Sequence, residues 1–249
     1  MFRKLVLTAF VAMILAQLSC APAGYQKTET DAVPERPSTF AMATDTWQKA
    51  AGTALPAVDD LVQQADTLIA SNNWDLASEK LEQARDIHRH QQANELVQSY
   101  SKRAVVGALA AVAPGSDIII QGVLATRLIQ SLCKVYGVSV KDVQIESFIR
   151  LAGGRVKKMT AITLAITGNA LKAFPGVGTL TGGLVHAVAY GMIFESLGRA
   201  ASETLASRGD LRPYPAAKAF EEILNDNLEA GAVRFAKLAL AEKVKKEKT

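Results

Sequence analysis

The chain has 249 residues, enough for one sizeable core or for one domain with an appendage. Hydrophobic residues make up 49% but aromatics only 6%, and alanine and leucine dominate, which favours helices over sheets. The formal charge of +4 includes Arg3 and Lys4, so the chain beyond them is close to neutral. No basic patch with interleaved aromatics precedes the C-terminus, and no nucleic-acid partner is expected.

Met1-Phe2-Arg3-Lys4 is a short basic start, and Leu5 to Leu18 is apolar apart from Thr8 and Gln17. Leu18-Ser19-Cys20-Ala21-Pro22-Ala23 follows. A charged opening, a short apolar run and small residues describe an export signal over residues 1–19. With a cysteine directly after the run, it resembles a bacterial lipoprotein signal, which implies lipidation of Cys20. On that reading the chain is anchored to a membrane of the cell envelope. Ala21, where aspartate would resemble inner-membrane retention, implies an outer-membrane place facing the periplasm in a cell that has one. Gln17 stands where that pattern usually has leucine. Ordinary cleavage near Ala21-Pro22-Ala23 and an uncleaved anchor are the other two readings.

Residues 20–43 are rich in Thr, Pro, Ser, Glu and Asp and read as a tether. A helix is expected from about Thr44 to Pro56. Val58, Leu61, Val62, Ala65, Leu68 and Ile69 then recur at helical spacing, Ser71-Asn72-Asn73 marks a turn, and Trp74, Ala77, Leu81, Ala84 and Ile87 form a second stripe. Residues 44–103 thus hold an amphipathic helical hairpin. The segment from Leu68 to Ala77 resembles a single tetratricopeptide-type unit, which implies a protein-contact face at Trp74, Ala77 and Leu81. A plain hairpin packed on the rest of the fold is the alternative.

From Ala104 the chain turns apolar. Helices are expected from Ile118 to Tyr136, ended by Gly137, and from a capping box at Ser139–Asp142 to Ala152, where Gly153-Gly154 breaks the chain. Further helices are expected over 157–173 and 179–207, around a turn at Pro175-Gly176-Val177-Gly178. After the rigid Arg212-Pro213-Tyr214-Pro215 a final helix runs from about Ala216 into a basic tail. No strand-like alternation stands out. The expected fold is all-α, a multi-helix bundle with a central apolar Gly/Ala-rich hairpin.

Ala113-Pro114-Gly115-Ser116-Asp117, Gln121, Val135-Tyr136-Gly137, Leu171 to Gly178, Gly182-Gly183 and Leu197-Gly198-Arg199-Ala200 occur in order across residues 104–205. In this region the chain resembles the domain of unknown function 697, the C-terminal region of YcjF-like membrane proteins. The resemblance implies a helical, membrane-associated domain over 104–211, followed by a C-terminal helix and basic tail over 212–249. It also implies a neighbouring Era-like GTPase and a coupling role rather than catalysis. This chain has no Gly-x-x-x-x-Gly-Lys-Ser/Thr phosphate loop, and an export signal would separate it from a cytoplasmic GTPase.

Residues 173–194 carry no formal charge, and neither do residues 159–171. Twenty-two residues suffice to cross a bilayer, and Pro175, Gly176, Gly178, Gly182 and Gly183 would permit a tight membrane or helix-packing hairpin. The scattered threonines favour a packed bundle that touches the membrane over true spanning helices. No site chemistry stands out. His88 and His90 point to opposite sides of a helix, His186 is alone, Cys133 reads as a buried small hydrophobe, and no nucleophile elbow occurs. No catalytic residue, metal or cofactor is expected. The sequence reads as a non-enzymatic, membrane-anchored envelope protein that binds a protein partner. The alternative is a protein whose hairpin around Pro175 inserts into a bilayer and remodels or permeabilises it.

Overall fold

A computed structural model describes residues 58–110, 116–172, 174 and 182–247. The export signal with Cys20, the tether, the helix expected from Thr44, and Pro175, Gly176 and Gly178 lie outside the described residues. Those residues form helices α1 (Val58–Ala70), α2 (Trp74–Ala110), α3 (Ser116–Tyr136), α4 (Asp142–Lys172), α5 (Gly182–Arg208), α6 (Pro213–Asp226) and α7 (Leu228–Glu247), with no strand among them. The all-α expectation holds. The chain divides into two compact units, one ending at His88 and the other beginning at Arg89.

In the first unit, α1 ends as its turn chemistry dictates. Asn72 takes a left-handed backbone (φ 61°), which asparagine tolerates better than most residues. The Asn73 and Asn72 amides donate to the Leu68 and Ile69 carbonyls (2.8 and 3.0 Å), closing a Schellman motif. Leu61 and Ala65 on α1 and Ala77 and Ala84 on α2 are buried.

In the second unit, Gly137 (φ 68°) ends α3 in the same way, with the Val138 amide on the Cys133 carbonyl at 2.9 Å. Gly209 (φ 63°) ends α5 through a single bond to the Leu205 carbonyl. The start of α4 is a shifted version of the expected box. The Lys141 amide donates to Gln144 Oε1 at 3.1 Å, so Gln144 supplies the one bond expected of Asp142, two residues later, while the lysine side chain has no acceptor to return the serine's. Gln144 Nε2 also donates to the Leu211 carbonyl at 3.4 Å, tying the start of α4 to the end of α5.

Three expectations give way. Gly153-Gly154 does not break the chain: α4 runs unbroken for 31 residues. Each glycine costs a helix about 1 kcal/mol relative to alanine. Phe148, Ala152 and Met159, buried on either side of the pair, hold the helix against its neighbours. The final helix is instead two, because Asn227 leaves helical geometry (φ −110°, ψ 10°) and its side chain donates to the Ile223 carbonyl at 3.0 Å. Finally, α2 passes through Arg103-Ala104 without interruption. The sequence changes polarity there, and a polarity change carries no stop signal.

The core of the second unit gathers on α5, which packs against α3, α4, α6 and α7. Leu184, Ala187, Val188, Met192, Leu197, Ala200, Ala201 and Leu205 are all buried, so the helix is enclosed on nearly every side. Two glycines set how closely its neighbours come. A Cβ on Gly191 would stand 2.7 Å from Phe235 Cγ of α7. A Cβ on Gly198 would stand 2.5 Å from Val97 Cγ2 of α2 and 3.3 Å from Leu128 Cδ2 of α3. Gly183, expected at a packing surface, is exposed, and a Cβ there would meet nothing within 4 Å.

Gly191→Ala is therefore expected to destabilise the protein by about 1–3 kcal/mol in denaturant unfolding, with part of the loss restored in a Phe235→Leu background. Gly183→Ala should be neutral or stabilising by about 0.5–1 kcal/mol in the same measurement.

Candidate functional site

Three arrangements in the described residues could carry function. The first is one end of the bundle in the second unit. Gln144 joins the start of α4 to the end of α5, so these helices run antiparallel and α4's C-terminal half shares an end with α5's N-terminal half. Gln130 Nε2 of α3 donates to Asp142 Oδ1 at 3.5 Å, so α3 likewise begins at that end. Gln121 Nε2 donates to the Ala104 carbonyl at 3.0 Å, which brings the last turns of α2 there too. The segments so collected, 104–110, 118–126, 159–171 and 182–194, contain no Asp, Glu, Lys or Arg.

Their faces are inverted relative to a water-facing helix. On α4, Ile162 is 57% exposed, while Thr163 is buried and Thr167 is fully buried at 0%. Neither threonine hydroxyl has a hydrogen-bond partner. On α3, Ile120 and Val123 are exposed while Gln121 between them is buried. Among the described residues, however, no helix is long and apolar enough to cross a membrane.

The second arrangement is the hairpin of the first unit. Trp74 is 61% exposed and Leu81, two turns later on the same face, is 43% exposed, while Ala77 beside them is buried. Of the three residues expected to contact a partner, two are therefore outward and the third belongs to the hairpin's interior. Residues 58–88 carry seven carboxylates against Lys80 and Arg85, a net of −5 with histidine neutral.

The third arrangement had no counterpart in the sequence expectations. Glu203 on α5 is largely buried, and its Oε1 has no hydrogen-bond partner. Burial raises its carboxyl from an ordinary 4.5 to about 7; Arg199, one turn earlier, pulls the other way, and Glu222 of α6 adds to the rise. Lys218 lies 3.6 Å from Glu222. Nearby on the same helices, Arg155 of α4 pairs with Glu221 and sits 5.9 Å over the Tyr214 ring. An acidic residue four positions after an arginine, inside a long helix with few charges, was the signal available in the sequence. Cys133 is buried as expected, and burial pushes its thiol up to about 11, with Asp210 adding to the rise. No group of three or more His, Cys, Asp or Glu among the described residues is placed to hold a metal ion.

The profile of the family described as Domain of unknown function (DUF697) matches residues 73–228. The chain belongs to the DUF697 family. The match is wider than the 104–205 span of the sequence resemblance: it takes in all of α2 and reaches the first residue of α7, leaving α1 and most of α7 outside. The DUF697 region thus contains the charge-free end, Trp74, Leu81 and Glu203. No curated protein and no solved structure is detectably similar to the chain. The family's description assigns no activity, so membership fixes kinship and fold but not chemistry.

Glu203 gives a pH dependence with a definite sign. A carboxyl raised in the folded state adds stability below its unfolded value near 4.5, and that contribution is lost as pH rises through about 7. Unfolding free energy should fall by up to about 3 kcal/mol between roughly pH 5 and pH 8. Glu203→Gln should flatten that slope in urea titrations across the same range.

Proposed function

We propose that this protein is a non-enzymatic, membrane-anchored scaffold of the cell envelope. Lipid on Cys20 attaches the chain, the charge-free end of the bundle rests in the bilayer interface, and the hairpin at Trp74 and Leu81 contacts a protein partner. The observation that carries this reading is the inverted packing on α3 and α4. Side chains that water would exclude, Ile120, Val123 and Ile162, face outward, and Gln121, Thr163 and Thr167 face inward. That distribution suits a surface whose surroundings are not aqueous, where inward polar groups help hold helices together.

Interfacial contact, rather than spanning, agrees with the helix lengths and hydropathy among the described residues.

Vesicle flotation tests the lipid contact. In a Cys20→Ser chain, which removes any lipid anchor, the protein should still float with phosphatidylethanolamine–phosphatidylglycerol vesicles. Val123→Glu with Ile162→Glu should reduce that binding at least about tenfold while leaving the helical circular-dichroism spectrum intact. Binding unchanged by the two glutamates would overturn the interfacial reading. Release of an entrapped dye at low protein loading would favour the bilayer-permeabilising alternative instead.

A further inference from the structure

Two exposed apolar surfaces outside the charge-free segments carry opposite charge. On the hairpin, Trp74 and Leu81 lie on one face of α2, and Asp75, Glu82 and Asp86 flank them on the adjoining side. Arg85 lies among these carboxylates, 3.9 Å from Glu82 and 3.8 Å from Asp86, and leaves the acid in surplus. The outer face of α7 is the reverse. Its inner face is buried through Ala232, Phe235, Ala236 and Ala239. Outward, Val233 and Val244 lie three turns apart on one face, 41% and 49% exposed, with Lys237 exposed beside them. Residues 237–247 carry four lysines against two glutamates, a net of +2.

An exposed tryptophan is a frequent anchor of a protein interface, and a ring of charge sets which partner is accepted. The chain itself supplies a helix that fits: apolar at helical spacing and basic where the hairpin is acidic. We propose that the hairpin of one copy docks the outward face of α7 of a second copy. The inference rests on the partner-contact reading of the hairpin and names that partner as the chain itself.

The two faces differ, so the contact is heterologous and leaves a free hairpin at one end and a free α7 at the other. Copies held on one membrane surface would meet at a raised effective concentration, so a modest affinity would suffice. The charged rims predict that association weakens with salt.

The test uses the full chain in density-matched detergent, with mass read by sedimentation equilibrium. The wild type should self-associate, with dissociation at least about tenfold easier in about 500 mM than in about 50 mM salt. Asp75→Lys with Glu82→Lys reverses one face, and Lys237→Glu with Lys245→Glu reverses the other. Each variant alone should be monomeric. Mixed, they should associate again, because the wild-type hairpin of one variant meets the wild-type α7 of the other and the two reversed faces are likewise of opposite charge.

A wild type that stays monomeric, or variants that associate as well as the wild type, would overturn the proposal. So would a mixture of monomeric variants that fails to pair. Should it fall in any of these ways, Trp74→Ala distinguishes the cause. If that variant loses a co-purifying envelope protein, the hairpin is a contact face with another partner. If it loses nothing, the hairpin reading fails as well.

Discussion

The structure depends on how closely other helices approach α5. A helix enclosed on nearly every side must present small residues where a neighbour's large side chain crosses it. Gly191 gives way to Phe235 and Gly198 to Val97 and Leu128, so α2, α3 and α7 are seated by the absence of two methyl groups. Native interiors pack at crystal-like density, and a misfit of one carbon is felt across such a contact. The positions of α4 and α6 follow, since both lean on the same helix and on each other. The bundle is therefore specified less by any large cluster of aromatics, which the composition lacks, than by where its central helix is thin.

That constraint explains which parts of the fold were legible. Turn chemistry was: Asn72 and Gly137 sit where left-handed geometry ends a helix, and the hairpin turn and the end of α3 fell where the residues placed them. Glycines inside helices were not. Gly153-Gly154 reads as a break by propensity alone, yet its neighbours are buried on a face that holds the helix straight through. Asn227 went unread for the opposite reason. One asparagine in a helical pattern is a weak signal until its amide is seen on the Ile223 carbonyl. Gly183 and Gly191 look alike in sequence, but only a neighbour's position shows that one meets empty space and the other an aromatic ring.

The functional surfaces divide along similar lines. The absence of charge over 159–171 and 173–194 was plain from the residues, but which side chains of those segments face outward was not. Periodicity cannot tell an apolar stripe that faces the core from one that faces outward, since both are apolar. The inward threonines and the outward isoleucine distinguish them only once the helix has a place. Glu203 escaped notice because an acidic residue in a long helix is ordinarily solvated. Burial raises its carboxyl despite Arg199 one turn away, and that burial shows only once the neighbouring helices are in place.

The buried Cys133 makes the fold its own sensor of integrity. With its thiol held near 11 and closed off from solvent, it is almost entirely in the unreactive form while the bundle is shut. Opening α3 would return the thiol toward its usual acidity and expose it at the same moment. Labelling by an alkylating reagent would then count excursions of this one helix, molecule by molecule, in an intact cell or an isolated membrane. In an oxidising compartment the same chemistry would mark damaged chains, since only an opened bundle could be trapped in a mixed disulfide.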